Sequence, residues 1–274
     1  PIGKCMAKEV KMLGTGNAFM PYGRYHSFAL IDGKHIIDCP PTAMASLRRA
    51  RVPLSDIETI FITHIHGDHV FGFPFLLLER RYISDRAMLK PLTVVAADGV
   101  KEHLWNLCEM AYPGSLEEIF ATVSWKSEAE GQIDSGMTWK RFRVQHDESV
   151  DPYGYHFNSG QEGSFVHSGD SGPRQTLHDE ICSASMAIIE MGYPEWVDSD
   201  HHHKPSDIQA LAEKADSVRL IVTHTFIDQP GVHSEVTVTD EYPVHPENVH
   251  HAEDGLCIHR SGMNWVLGIK KYGE

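Results

Sequence analysis

The chain is short of thiols, of long apolar runs and of positive charge. Its five cysteines among 274 residues, Cys5, Cys39, Cys108, Cys182 and Cys257, are odd in number and show no C-x-x-C spacing. That argues against a disulfide framework and a thiolate zinc site, and a reducing cytoplasm is the expected compartment. No stretch approaches the roughly 20 apolar residues that cross a bilayer, and residues 1–10 hold no apolar leader core, so neither membrane contact nor export is expected. Lys and Arg number 24 against 38 Asp and Glu, a formal charge of −14. Such a field repels a polyanion, which disfavours long nucleic acid as a partner unless a local basic patch overrides it. No linker, low-complexity tract or internal repeat interrupts the chain, and residues 1–274 are expected to form one domain.

What the chain has in excess is histidine, 19 residues in all. Buried imidazoles need partners, so this many must share a metal or line a polar cleft if they are not all solvated. The rest of the composition, 41% hydrophobic and 23% charged, is that of an ordinary soluble globular chain with enough apolar surface for a core.

Strand and helix signals mix from end to end, which indicates the α/β class. Residues 10–13 read as a strand entering a tight turn at Gly14-Thr15-Gly16, a triplet without the spacing of a dinucleotide fingerprint. Residues 27–31 and 34–38 read as a hairpin through Asp32-Gly33, two residues that tolerate the positive φ of a type I′ turn. Further strands are expected at 57–63, 92–96, around Val166, at 186–191 and at 219–223. Helices are expected at 42–50, 73–85, 101–111 and 206–215, the last introduced by Pro205. Arg80-Arg81 reads as an exposed basic pair on a helix.

The chemistry is concentrated in Thr63-His64-Ile65-His66-Gly67-Asp68-His69, directly after an expected strand. One isolated histidine would be a solvated side chain. Four ligand-type residues in the H-x-H-x-D-H spacing, on a loop that can turn them toward one point, indicate a metal site of nitrogen and oxygen donors suited to zinc, iron or manganese.

The motif resembles that of the metallo-β-lactamase superfamily, and the resemblance runs through nearly the whole chain. It is greatest to the branch that holds ribonuclease Z and the phosphoribosyl cyclic phosphodiesterases. Val144-Gln145-His146 with the following Tyr153-Gly154-Tyr155 resembles that branch's next ligand segment. Ser168-Gly169-Asp170-Ser171 resembles the turn whose aspartate bridges two metals, and Leu220-Ile221-Val222-Thr223-His224 the strand bearing the last ligand. The resemblance implies a metallo-β-lactamase-like four-layer αβ/βα sandwich. It also implies two divalent metal ions, zinc first with manganese or iron as alternatives. His64, His66 and His146 would hold one ion and Asp68, His69 and His224 the other, with Asp170 and a hydroxide shared. Asp68 counts among the catalytic residues as well.

A second cluster, His201-His202-His203, precedes Pro205. In the resembling phosphodiesterases a histidine stands 22 residues before the last ligand, a register that favours His202 over His203. It would bind a phosphate oxygen or protonate the leaving group, with Glu190 orienting it, although Ile189 replaces the histidine of the family's H-E-A-T segment. Asp38, in Asp38-Cys39-Pro40-Pro41-Thr42, would stand behind the metal loop, and His251 is the best spare ligand.

The tRNA-gripping arm of ribonuclease Z lies between the third motif and the bridging aspartate, a gap of only 24 residues here. With the acidic balance, this moves the expected substrate from tRNA to a small molecule. The function implied is a binuclear metal-dependent phosphodiesterase on a small or cyclic phosphate ester. Lactone, thioester or sulfate-ester hydrolysis, or a mononuclear iron sulfur dioxygenase, are the alternatives. Residues 88–134 and 227–248 have no counterpart and would carry substrate selectivity or an oligomer contact, a homodimer being the assembly to test.

Overall fold

Apolar strands whose side chains alternate between two faces must be covered on both, and that requirement shapes this chain. The computed structural model describes residues 7–232 and 244–269. Residues 1–6, with Cys5, and residues 233–243 of the unmatched 227–248 segment lie outside them. In chain order, β1 (Glu9–Gly14), β2 (Phe28–Ile31), β3 (His35–Ile37), β4 (Thr59–Phe61), β5 (Thr93–Val95) and β6 (Ser124–Lys126) begin one sheet. A second sheet takes β7 (Glu130–Gln132), β8 (Thr138–Arg143), β9 (Tyr153–Phe157), β10 (Phe165–His167), β11 (Met186–Glu190), β12 (Arg219–Thr223) and β13 (Val249–His251). The chain then returns with β14 (Leu256–Ser261) and β15 (Asn264–Ile269) to complete the first. The spatial orders are β15-β14-β1-β2-β3-β4-β5-β6 and β13-β12-β11-β10-β9-β8-β7.

The period of two sends alternate residues to different cores. Phe61, Val95 and Ile188 pack between the two sheets with Met12, Tyr155 and Phe165. Ile60, Ile62 and Val94 face the other way, beneath α1 (Ala43–Arg49), α3 (Phe73–Glu79), α4 (Val100–Ala111) and α5 (Glu117–Thr122), where Leu47, Leu76, Leu104 and Phe120 cover them. On the far side, Ala187, Ile189, Leu220 and Val222 are covered by Leu177, Ile181, Ile208 and Leu211 of α6 (Gln175–Cys182) and α7 (Pro205–Lys214). Helix, sheet, sheet and helix are therefore four layers around three apolar interfaces, the architecture the resemblance implies. α2 (Gly67–Val70) is a single turn at the sandwich edge.

Local signals account for much of this. Asp32 and Gly33 have φ of 51° and 72°, the left-handed pair that a type I′ hairpin turn demands. The 146–170 interval holds β9 and β10 with no projecting arm. Among the described residues no helix is long and apolar enough to cross a membrane.

Two expectations are corrected. Much of 88–134 is scaffold, since Val94, Leu104, Cys108, Ile119 and Phe120 are buried in the first core. Arg80 is not an exposed cation: the helix from Phe73 widens into a π-helical turn at Arg80–Ser84, and Arg80 is 1% exposed. Its Nε donates to Asp85 Oδ2 at 2.7 Å, Nη1 to the Ile57 carbonyl at 2.7 Å and Nη2 to that of Lys90 at 3.1 Å. Asp85→Ala would strand a buried guanidinium and is expected to cost about 3 kcal/mol or more. Urea-unfolding midpoints of the variant and the parent check this.

Candidate metal centre

Parallel strands present their carboxyl ends to one edge of a sheet, where loops can converge. Here β4, β10, β11 and β12 end at Phe61, His167, Glu190 and Thr223, just before or at the residues singled out in the sequence. Beyond β4, the Thr63 amide donates to Asp38 Oδ1 at 2.7 Å, and the Thr63 hydroxyl to Asp38 Oδ2 at 2.8 Å. α2 then turns Asp68 and His69 inward. Just beyond α2 the chain passes close to the 38–41 segment, because a Cβ on Gly72 would lie 2.0 Å from the Pro40 carbonyl oxygen. Asp38 and His224 both sit at positive φ, 65° and 46°, conformations that non-glycine residues hold only where their surroundings over-determine them.

These loops gather all seven metal-ligand candidates. Ligand atoms of His64, His66 and His146 lie within 4.8 Å of one another, as do those of Asp68, His69, Asp170 and His224. Asp170 stands between the groups: its Oδ2 is 3.8 Å from His64 Nε2, 3.3 Å from His69 Nε2 and 3.2 Å from His224 Nε2. Asp68 Oδ2 lies 3.4 and 3.3 Å from the same atoms of His69 and His224.

Hydrogen-bond logic shows that this donor set fits cations. The Thr63 hydroxyl gives its proton to Asp38, so at 3.0 Å it can only accept one from His64 Nδ1. His69 Nδ1 faces the Asp38 carboxylate at 2.8 Å, and His146 Nδ1 the His201 carbonyl at 2.9 Å, so both carry their protons there. In their neutral forms all three rings turn a bare Nε2 lone pair inward. His64 Nε2 and His146 Nε2 each lie 3.1 Å from His66 Nδ1, and one proton cannot serve both contacts. His69 Nε2 is buried without a hydrogen-bond partner.

The electrostatics make the same demand. Burial pushes His64 well below its ordinary range and His146 down to about 4, so both stay neutral and able to coordinate. Burial would lower His69 too, but the carboxylates of Asp170, Asp68 and Asp38 overcome it and hold the ring well above its usual value. Burial would raise Asp170, yet His224 and His69 keep it well below the carboxylate range. The pocket therefore calls for positive charge, which a cation can supply in place of a proton.

His202 and Glu190 form a neighbouring pair. His202 Nδ1 donates to Glu190 Oε1 at 3.0 Å, and the same carboxylate accepts the amides of Ser171 at 2.9 Å, Gly192 at 2.6 Å and His203 at 3.2 Å. Burial would lower His202, but Glu190 overcomes it and raises the ring to about 9. His203 is fully buried, gives its Nδ1 proton to the Ser171 carbonyl and is pushed down by burial to about 3. His202, not His203, lines the cavity of about 300 Å³ that also exposes His66, Asp68, Asp170 and His224. His251 stands apart, its ring centroid 5.5 Å from that of His245.

The same cavity is lined by Asn17, Phe19 and Tyr193, which sequence reasoning missed. They belong to no spaced motif, and only the chain's return past Thr225 and Gly192 brings them here. Asp38 is the residue behind the loop with most to lose. Asp38→Ala frees His69 and the Thr63 hydroxyl together, and is expected to weaken metal affinity about 10- to 100-fold. Competition titration against a chelator checks it.

Comparison with known proteins agrees with this geometry. The Anti-Pycsar protein Apyc1 of Paenibacillus sp. strain J14 is 30% identical over 161 residues, covering 56% of this chain and 64% of that protein. The chain thus matches a little under two thirds of that relative's length. Among solved structures, the metallo-β-lactamase fold protein YhfI of Bacillus subtilis superposes with a TM-score of 0.69 at 17% identity, over 92% of this chain and 98% of that one. The short form of human tRNase Z, ELAC1, superposes with a TM-score of 0.66 at 21% identity, over 91% and 98%. The family profile described as Anti-Pycsar protein Apyc1 matches residues 8–246, and the chain, with its histidine-aspartate edge on a four-layered metallo-β-lactamase-like fold, belongs to that family.

Proposed function

We propose that this chain is a binuclear metal-dependent phosphodiesterase acting on a small or cyclic phosphate ester. The observation that carries the reading is the Glu190–His202 pair, whose His202 ring stands on the wall of the cavity onto which His66, Asp68, Asp170 and His224 open. His64, His66 and His146 would hold one cation and Asp68, His69 and His224 the other, with Asp170 common to both. When bound, two divalent cations, zinc by the donor set or else manganese or iron, supply an acidified water near neutral pH and offset charge on phosphoryl oxygens.

The chain's own groups do the rest. Asp38, Thr63 and the His201 carbonyl pin the outward ring nitrogens, so the inward lone pairs stay aimed without reorganisation at each turnover. Glu190, fixed by three backbone amides, holds His202 as a cation. From there His202 Nε2 donates its proton to the departing ester oxygen, the step that an alkoxide leaving group needs most. The family match and the named Apyc1 relative support the same reading.

The test is hydrolysis by metal-stripped protein reloaded in turn with zinc and manganese, offered bis(p-nitrophenyl) phosphate, a 3′,5′-cyclic nucleotide, a lactone and a thioester. Turnover of the phosphodiesters only after reloading is expected. Turnover confined to the lactone or thioester would overturn the reading.

A further inference from the structure

The cavity has a second wall that the hydrolytic chemistry does not use. Phe19 lines it while remaining 78% exposed, and Tyr193 lines it from the segment after β11. A single exposed phenylalanine on a surface needs no explanation. This one is held out by a built support. The Phe19 amide donates to Asn17 Oδ1 at 3.1 Å, and the Met20 amide to the Asn17 carbonyl at 3.0 Å, with Met20 at a φ of 51°. Asn17 is itself buried. Its Nδ2 donates to the Gly192 carbonyl at 3.2 Å and its amide to the Thr225 carbonyl at 3.0 Å.

One asparagine therefore ties the Phe19 loop both to the residue before Tyr193 and to the residue after His224. Tyr193 in turn stands edge-on to His202, with ring centroids 4.4 Å apart. The backbone that bears Phe19 is thereby tied to the metal edge and the Tyr193 ring is set against His202, and an apolar ring kept in water beside a polar cavity gains from any flat group that covers it.

Resting on the phosphodiesterase reading, we propose that Phe19 and Tyr193 form an aromatic subsite that takes the planar base of a nucleotide ester, with Asn17 as the positioning residue that holds both lips. The subsite supplies attraction that the overall charge cannot, because a chain of formal charge −14 repels a phosphate ester at long range whereas stacking on an aromatic face is independent of charge sign.

The test pairs a 3′,5′-cyclic nucleotide with the same cyclic phosphate carrying a methoxy group in place of the base, on metal-loaded parent, Phe19→Ala and Phe19→Trp. The ratio of kcat/KM for the nucleotide to that for the base-free ester is expected to fall by about tenfold or more in Phe19→Ala, the scale of one lost base–aromatic stack. Phe19→Trp is expected to restore it. A ratio that does not move, or equal losses on both esters, overturns the subsite. Binding of a non-hydrolysable cyclic phosphorothioate and its base-free counterpart is measured in parallel. A base-dependent affinity lost in Phe19→Ala supports the subsite even where neither ester turns over, an outcome that sinks only the phosphodiesterase reading.

Discussion

On the proposed binuclear reading, Asp170→Ala is expected to empty both metal positions and to lower phosphodiester turnover by about a thousandfold or more. The carboxylate stands between the two groups of donors, 3.8 Å from His64 Nε2 on one side and 3.3 and 3.2 Å from His69 and His224 on the other. Its removal takes away the one donor common to both groups together with its negative charge, so neither proposed cation is held as before. Loss of a catalytic cation removes several kcal/mol of stabilisation of transition-state charge, and each 1.4 kcal/mol or so is a tenfold change in rate. Metal analysis of the purified variant, with circular dichroism to show that it has folded, measures the first claim, and hydrolysis after metal loading the second. Full metal content with full turnover would sink the assignment of Asp170.

His202→Ala is expected to leave metal content at the parent level while lowering turnover of a cyclic nucleotide about 10²- to 10⁴-fold, the range typical of a lost general acid. The ring contacts the donor cluster at its margin, with its centroid 4.8 Å from that of His146, but its Nδ1 belongs to Glu190. The size of the loss should depend on the leaving group. An alkoxide needs a proton as it departs, whereas p-nitrophenolate leaves readily without one, so bis(p-nitrophenyl) phosphate should suffer much less. Equal losses on the two substrates would instead assign His202 to binding a phosphoryl oxygen. Glu190→Gln should fall between parent and His202→Ala, because it weakens the imidazolium without removing the ring.

Much of the candidate site was legible in the sequence because its densest part is local. Four of the seven candidate donors fall in one loop, His64 to His69, and the strand before it and the strand at Arg219–Thr223 follow from short apolar runs. The Asp32-Gly33 turn was legible for the same reason, since a φ preference belongs to the residue itself. Arg80 was misread because basic residues on an apparent helix are solvated far more often than buried. What reversed this is a carboxylate five residues away and two carbonyls from separate segments, which no local pattern displays. The choice between His202 and His203 rested on register, and the structure separates them by burial, one ring facing the cavity and the other the core.

By itself the sequence determined the alternation of apolar strands and helices, the ligand types and the order in which they occur. These depend on side-chain chemistry and on periodicities of a few residues. Only the tertiary structure decided which atoms meet: that Asp68 comes within 3.3 Å of a histidine 156 positions away, that Asp38 takes the Nδ1 proton of His69, and that Asn17 ties an exposed ring to the metal edge. Such contacts are made by packing two sheets face to face, and the directions of lone pairs and protons at their shared edge exist only once that packing has closed.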